Sequence, residues 1–211
     1  MTPTHVRSVA VWLFLCCLML WVMVVVGGLT RLTGSGLSMV SWAPVTGWLP
    51  PLDRAGWEAA FADYRLTPQF RHVNWQMDLV GFQGIYWLEY VHRLLGRLLG
   101  VLFFVPFLWF VARRRIDRPL AWRLAILFLL GGLQGGGGWV MGVSGLKDDP
   151  HVSQYRLAMH LGLALVIFGW MWVTALGLWF RREGGGRSLA GFWARGGWLV
   201  MLVLLTAVSG A

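Results

Sequence analysis

Two histidines lie inside long apolar stretches at the same distance from a basic cluster. His92 comes 21 residues before Arg113, and His160 comes 21 residues before Arg181. If each stretch is an α-helix, a rise of about 1.5 Å per residue places both imidazoles ~30 Å from the basic boundary. The hydrocarbon core of a bilayer is about 30 Å thick. The spacing therefore predicts that both imidazoles lie at one depth, at the outer edge of the membrane.

A pair of imidazoles at one depth indicates metal chemistry. An ionisable residue in a membrane helix is costly and is a candidate functional residue, although a single histidine is more often a hydrogen-bonded core residue. Neutral imidazole is a common axial ligand of haem iron, so His92 and His160 are the predicted iron ligands. Zinc fits less well, because no third Cys or His ligand accompanies the pair in the helices. The pattern therefore favours a haem.

Charged side chains beside these histidines suit a haem and its propionates. At about 100° per residue, Glu89 and Arg93 share the helix face of His92, and Arg156 precedes His160 by four residues. Guanidinium groups pair bidentately with carboxylates, so the candidate propionate clamps are Arg31, Arg93, Arg97 and Arg156. The alternative is that each arginine extends its charge to water or lipid headgroups. Glu89 is the candidate proton acceptor, or the partner of Arg93 in an i,i+4 ion pair.

The elements that must position these residues are membrane helices. The chain is 57% hydrophobic and 13% charged, whereas soluble domains carry roughly one-quarter charged residues. A helix of about 20 apolar residues spans a bilayer. We predict an all-α membrane protein that forms a single domain over 1–211. Its core is a transmembrane four-helix bundle, with helices over 9–29, 86–112, 121–143 and 155–180, and a fifth helix starts over 198–211. The formal charge of +9 indicates membrane topology and not a nucleic-acid surface, because most arginines flank apolar runs.

The basic clusters predict the orientation of the chain. Arginines follow the second helix at 113–115, 118 and 123, and they follow the fourth at 181, 182, 187 and 195. The positive-inside rule places these clusters and the N-terminus in the cytoplasm, so the loop over 30–84 lies outside. In that loop, 52–66 has the pattern of an amphipathic helix. This helix either covers an outer site or rests on the lipid headgroups.

Two smaller features have structural interpretations. Glycines at 131, 132, 135, 136 and 138 give the third helix a small-residue face, which would pack closely on a neighbouring helix or on a planar ring. Gln134, a polar residue among them, is expected to bond a neighbouring backbone. Cys16 and Cys17 are adjacent in the first apolar run and make no disulfide framework, so we expect them to be core residues.

Four segments together resemble haem A synthase, the membrane enzyme that converts haem O to haem A. They are GGLTRLTGSGLSMVSWAPVTGWLPP (27–51), EYVHRLLGR (89–97), LQGGGGWVMGVSGL (133–146) and VSQYRLAMHLGLA (152–164). The resemblance implies an oxidoreductase that oxidises a ring methyl of haem O to the formyl of haem A in cytochrome oxidase assembly. It also implies that His92 and His160 flank a haem and that Glu89 takes part in the oxidation. A cysteine pair that some members carry in the first outer loop is absent from this sequence.

The resemblance further implies cofactors, partners and a location. Full-length members use haem b as cofactor and haem O as substrate, and they require an electron partner. The family has eight helices in two similar halves, whereas this chain carries one histidine pair. We therefore expect an incomplete chain in a bacterial cell membrane, which associates with itself or with the missing carboxy-terminal half and does not turn over alone. The alternatives are a non-catalytic bis-histidine haem-binding or electron-transfer protein, and a transport or scaffold protein with structural histidines.

Overall fold

The computed structural model describes residues 3–43, 46–147 and 153–180, which form helices without strands. The helices are α1 (Pro3–Leu32), α2 (Arg54–Arg65), α3 (Pro68–His72), α4 (Leu79–Ala112), α5 (Arg118–Lys147) and α6 (Gln154–Phe180). Four of them, α1, α4, α5 and α6, are long and apolar enough to cross a membrane. The predicted all-α membrane fold with four spanning helices is confirmed. The predicted start of a fifth helix over 198–211 lies outside the described residues.

The spanning helices run past the predicted segments, and α4 does so most clearly at its amino-terminal end. It begins at Leu79 instead of Tyr86, because Asp78 caps it and accepts a hydrogen bond from the Gly81 amide at 2.8 Å. The 34 residues of α4 measure ~51 Å at about 1.5 Å per residue. The hydrocarbon core is only about 30 Å thick, so part of α4 stands outside the membrane.

The described residues form two compact units, and the first consists of 3–21, 99–134 and 158–180. Segments of α1, α4, α5 and α6 share its apolar core. Aromatic rings pack edge to face between the helices. The ring centroids of Phe14 on α1 and Trp172 on α6, for example, lie 5.1 Å apart. Cys16 and Cys17 are buried in this core. The prediction that these two cysteines are core residues is confirmed.

The second unit consists of the described parts of 22–98 and 135–157. Its core is a cluster of aromatic rings in which α2 packs on the beginning of α4. The centroids of Trp57 and Tyr86 are 5.0 Å apart, and those of Phe61 and Phe82 are 5.1 Å apart. The apolar face of α2 therefore packs on α4, and both interpretations of 52–66 stay predictions.

Local capping explains where the two short helices begin. Asp53 precedes α2 and its side chain accepts a hydrogen bond from the Gly56 amide at 2.8 Å. Thr67 precedes α3 and accepts from the Phe70 amide at 3.2 Å, with proline in the first turn of that helix. Such side-chain acceptors satisfy amides that have no partner inside the helix. The caps fix where α2 and α3 begin, and Phe70 of α3 packs on Phe61 and Tyr64 of α2.

Candidate functional site

Glu89 is almost fully buried on α4, with 3% of its surface exposed. Its Oε2 accepts hydrogen bonds from the Ser38 hydroxyl at 2.7 Å and from the Met39 amide at 2.8 Å. Its Oε1 pairs with the Arg93 guanidinium one helical turn later. A buried carboxylate requires such donors, because an unpaired charge is expensive in an apolar interior. The i,i+4 ion pair predicted as one role of Glu89 is therefore confirmed.

Two α4 arginines bind the same loop through its carbonyl groups. Arg93 donates from Nη1 to the Ser41 carbonyl at 2.7 Å and from Nη2 to the Met39 carbonyl at 3.0 Å. Arg97, one turn further along α4, donates from Nη2 to the Ala43 carbonyl at 3.1 Å. Residues 38–43 therefore lie along one face of α4, held by a carboxylate and two guanidinium groups. The propionate role of Arg93 and Arg97 stays a prediction.

The start of the same loop is held by α2 and α3. Gln69 of α3 donates to the Gly34 carbonyl at 2.8 Å, and its own amide oxygen accepts from the Tyr64 hydroxyl at 2.9 Å. Asn74 in turn donates to the Tyr64 hydroxyl at 2.8 Å. Burial raises the pKa of the Tyr64 phenol above its usual value, so the hydroxyl keeps the proton that it donates. Gly34 has a φ of 65°, a backbone conformation that favours glycine.

His92 lies on α4 against the last part of α1. A Cβ added to Gly27 would stand 2.8 Å from the His92 Cε1, closer than a carbon contact allows. Glycine at position 27 therefore lets the imidazole lie directly on the α1 backbone. Because Glu89 and His92 are three residues apart on one helix, the contacts that fix the loop also lie beside this imidazole.

His160 lies on α6 in the first unit, next to a polar residue of α5. The Gln134 side chain donates from Nε2 to the His160 carbonyl at 2.9 Å. The prediction that Gln134 bonds a neighbouring backbone is confirmed. Within the described part of the chain, the buried His160 Nδ1 and the buried Gln134 Oε1 have no hydrogen-bond partner. His160 thus presents a buried imidazole nitrogen that a further group could use.

The structure assigns the predicted site residues to different surroundings. Arg31 is an exposed residue in the last turn of α1. Arg156 is exposed on α6 and donates from Nη1 to the Val140 carbonyl of α5 at 2.7 Å. Both belong to the second unit with Glu89 and His92, whereas His160 belongs to the first unit. The pairing of the two histidines around one haem stays a prediction.

Three residues of the site were missed by sequence reasoning. Ser38 and Met39 supply the donors to Glu89, and Gln69 supplies the donor to Gly34. All three contacts join residues more than 30 positions apart, which no local pattern reports. The sequence feature that could have indicated these contacts is the short polar run 33–38, which is rich in hydroxyl and glycine residues. Such residues commonly bond to backbone in turns.

The site does not resemble a metal centre made by protein ligands alone. Within 3–43, 46–147 and 153–180, no group of three or more His, Cys, Asp or Glu side chains is placed to hold a metal ion.

Comparison with known proteins decides the family. Residues 10–211 match the family described as cytochrome oxidase assembly protein. The chain belongs to this family. The resemblance seen in the four sequence segments is therefore confirmed, and with four spanning helices the chain is a multi-pass integral membrane protein.

Relatives in this family carry the name haem A synthase. One from Nitrosospira multiformis is 54% identical over 172 residues, covering 82% of this chain and 48% of the relative. One from Paramagnetospirillum magneticum is 50% identical over 210 residues, covering 97% of this chain and 59% of the relative. One from Parvibaculum lavamentivorans is 49% identical over 210 residues, covering 100% of this chain and 60% of the relative. The chain thus spans about half to three-fifths of the relatives' length. No solved structure matches it.

Proposed function

We propose that this chain belongs to an oxidoreductase that converts haem O to haem A, as haem A synthase does. The observation that carries the proposal is the identity of about half of all residues across the whole chain with relatives of that name. The matched region includes the two predicted iron ligands and the buried acid of α4. Because the chain spans only part of its relatives, the activity, the substrate and the partners are all part of this proposal.

The residues present fit a haem. His160 has a buried Nδ1 without a partner among the described residues, and His92 lies on a glycine that leaves room for its ring. Imidazole nitrogen on an apolar helix is a suitable axial donor to haem iron. When bound, the haem supplies the redox chemistry of methyl oxidation, as haem b cofactor or as haem O substrate. His92 and His160 would hold it, and they are the proposed metal ligands.

Glu89 is the proposed catalytic residue, which would accept a proton at Oε2. This oxygen already accepts from the Ser38 hydroxyl, which is itself able to pass a proton onward. The carboxylate also lies one helical turn from His92 and thus near the proposed haem. The same contacts make Glu89 an anchor of the loop. The two roles are separable, because an anchor affects the loop and a proton acceptor affects turnover.

The arginines have two proposed tasks. Arg93 and Arg97 hold the loop carbonyls, and we propose that they also attract the propionates of haem. The exposed Arg31 and Arg156 are proposed propionate clamps that supply a guanidinium from α1 and from α6. Removal of any one should weaken haem retention more than it slows turnover per bound haem.

The remaining proposals concern the setting of the reaction. We propose that the N-terminus lies in the cytoplasm of a bacterial cell and that the loops at 30–84 face outside, since the basic clusters favour this orientation. Oxidation of a methyl to a formyl group removes electrons, so the enzyme requires an electron partner. We also propose that this chain associates with a carboxy-terminal half or with a second copy of itself.

An optical titration of the purified chain with haem O tests the proposal. We expect a low-spin spectrum typical of two imidazole ligands, and we expect His92→Ala and His160→Ala each to abolish it. His72→Ala is the matched control, because His72 is exposed at the end of α3. An unchanged spectrum in both site variants would refute the haem assignment.

A second measurement separates haem binding from catalysis. Haem extracted from membranes that contain this chain together with a carboxy-terminal half should include haem A, formed from haem O. Glu89→Ala should retain bound haem and lose haem A. Normal haem A in this variant would show that Glu89 is only a structural anchor.

A further inference from the structure

The turn between α4 and α5 contains a cavity that the proposed function does not use. Its volume is about 510 Å³, and it lies wholly within the first unit. Its lining combines apolar side chains with charged ones: Val111, Arg114, Ile116, Asp117, Arg118 and Ala121. A cavity with both kinds of lining suits an amphipathic ligand.

The backbone that forms this cavity carries an arginine where glycine is favoured. The Arg115 amide donates to the Phe110 carbonyl and the Arg114 amide donates to the Val111 carbonyl, each at 2.9 Å. These two bonds define a Schellman motif, which needs a left-handed residue at the position of Arg114. Arg114 has a φ of 52°, a conformation that is unfavourable for a side chain with a Cβ. A strained residue of this kind points to a role for its side chain.

Two guanidinium groups, from Arg114 and Arg118, supply the positive charge of the cavity. Arg115 points elsewhere, since its guanidinium carbon lies 4.2 Å from the centre of the Trp109 ring. The one acidic lining residue, Asp117, caps α5 by accepting a hydrogen bond from the Leu120 amide at 3.0 Å. The carboxylate thus satisfies the helix terminus, and the two lining arginines leave an excess of positive charge over that one carboxylate.

We propose that this cavity binds the headgroup of an anionic phospholipid. Guanidinium is well suited to phosphate, with which it forms charge-assisted hydrogen bonds. Val111, Ile116 and Ala121 offer apolar surface for the first carbons of the acyl chains. Because α4 and α5 both cross the membrane, the turn that joins them lies where lipid headgroups lie. A lipid phosphate therefore reaches this cavity without leaving the bilayer.

A specific lipid site can be distinguished from the general attraction of basic residues to an anionic membrane surface by how much each arginine contributes to lipid binding. General attraction contributes about fivefold in binding for each arginine near the surface, wherever it stands. A charge-assisted contact in a formed site contributes about tenfold or more for each arginine that makes it. The proposal therefore requires that lining arginines matter more than a neighbouring arginine of the same charge.

Native mass spectrometry of the purified chain with phosphatidylglycerol tests this requirement. We expect retained lipid on the wild-type chain, about tenfold weaker apparent binding for Arg118→Gln and Arg114→Gln, and at most a fivefold effect for Arg123→Gln. Arg123 is the matched control because it belongs to the same basic cluster and does not line the cavity. Equal effects of all three substitutions would overturn the proposal, as would equal retention of phosphatidylcholine.

Thermal unfolding supplies an independent readout from Arg114→Gly. In phosphatidylcholine vesicles this variant should unfold at a higher temperature than wild type, because glycine relieves the left-handed backbone. In phosphatidylglycerol vesicles the advantage should shrink or reverse, since the variant has lost a phosphate contact. In a last measurement, the thermal unfolding of the wild-type chain is followed in the presence of inorganic phosphate. Stabilisation by free phosphate equal to that by phosphatidylglycerol would refute a lipid site, as would an advantage of Arg114→Gly that is the same in both vesicles.

Discussion

Replacement of Glu89 by glutamine should release the loop at residues 38–43 from α4. The substitution keeps the size of the side chain but removes the charge that pairs with Arg93. It also replaces one of the two accepting oxygens with an amide NH2 group, so that either the contact of Oε1 with Arg93 or the two bonds that Oε2 accepts from Ser38 and Met39 are lost. Breaking a buried ion pair costs about 3–5 kcal/mol. The Arg93 side chain is 21% exposed and keeps two carbonyl acceptors, so the lower end applies. We expect a loss of about 3 kcal/mol in the local stability of the loop.

Hydrogen exchange at the Met39 amide measures this loss directly. A change of about 3 kcal/mol corresponds to roughly a hundredfold faster exchange, at about 1.4 kcal/mol for each factor of ten. Glu58→Gln is the matched control, because Glu58 pairs with Arg54 at the same i,i+4 spacing but the two side chains are 54% and 87% exposed. The control should leave exchange of the Met39 amide unchanged. If Glu89→Gln and Glu58→Gln gave the same exchange rate, the anchoring role of Glu89 would be refuted.

Two further substitutions test the surroundings of the histidines. Gly27→Ala should displace the imidazole of His92, because the new Cβ would stand 2.8 Å from the His92 Cε1. This variant should bind haem about tenfold more weakly. Gly28→Ala is the control and should have no effect, because a Cβ at Gly28 meets nothing within 4 Å. The optical haem titration checks both variants, and equal affinities would contradict the contact. Gln134→Leu removes the donor to the His160 carbonyl and should lower the unfolding temperature by the equivalent of about 1 kcal/mol. Differential scanning fluorimetry in detergent measures that shift, and an unfolding temperature equal to that of wild type would show that the bond contributes nothing.

The spanning helices were predictable because the bilayer imposes one dominant requirement on sequence. Every backbone group in the hydrocarbon must be bonded within the helix, and only long apolar runs meet that condition at low cost. Composition therefore located α1, α4, α5 and α6. The predicted start of α4 was late by seven residues, at Tyr86 instead of Leu79, because hydropathy reports the membrane and not the helix. The earlier turns are stabilised by the cap at Asp78 and by aromatic packing, which hydropathy does not measure.

The candidate site was predictable in its residue types but not in its contacts. Periodicity placed Glu89, His92 and Arg93 on one face of a helix, and the ion pair between Glu89 and Arg93 followed from their spacing. The bonds from these residues to 38–43 could not be predicted, because they join positions 50 to 54 apart. An arginine whose charge could reach water or propionate looks the same in sequence as one that binds a backbone carbonyl. Only tertiary structure separates these alternatives.

The loop at 33–43 is held from three elements of the second unit, and this has a consequence for function. It follows α1 directly, Gln69 of α3 binds its Gly34 carbonyl, and Glu89 of α4 binds its Met39 amide. A segment fixed at several points loses few conformations when a ligand binds, so less binding free energy is spent on ordering it. Residues beside His92 are therefore preorganised for the proposed haem. Because Glu89 both fixes this loop and is the proposed proton acceptor, any change in its charge during the reaction would loosen the loop, which couples the chemical step to local order at the site.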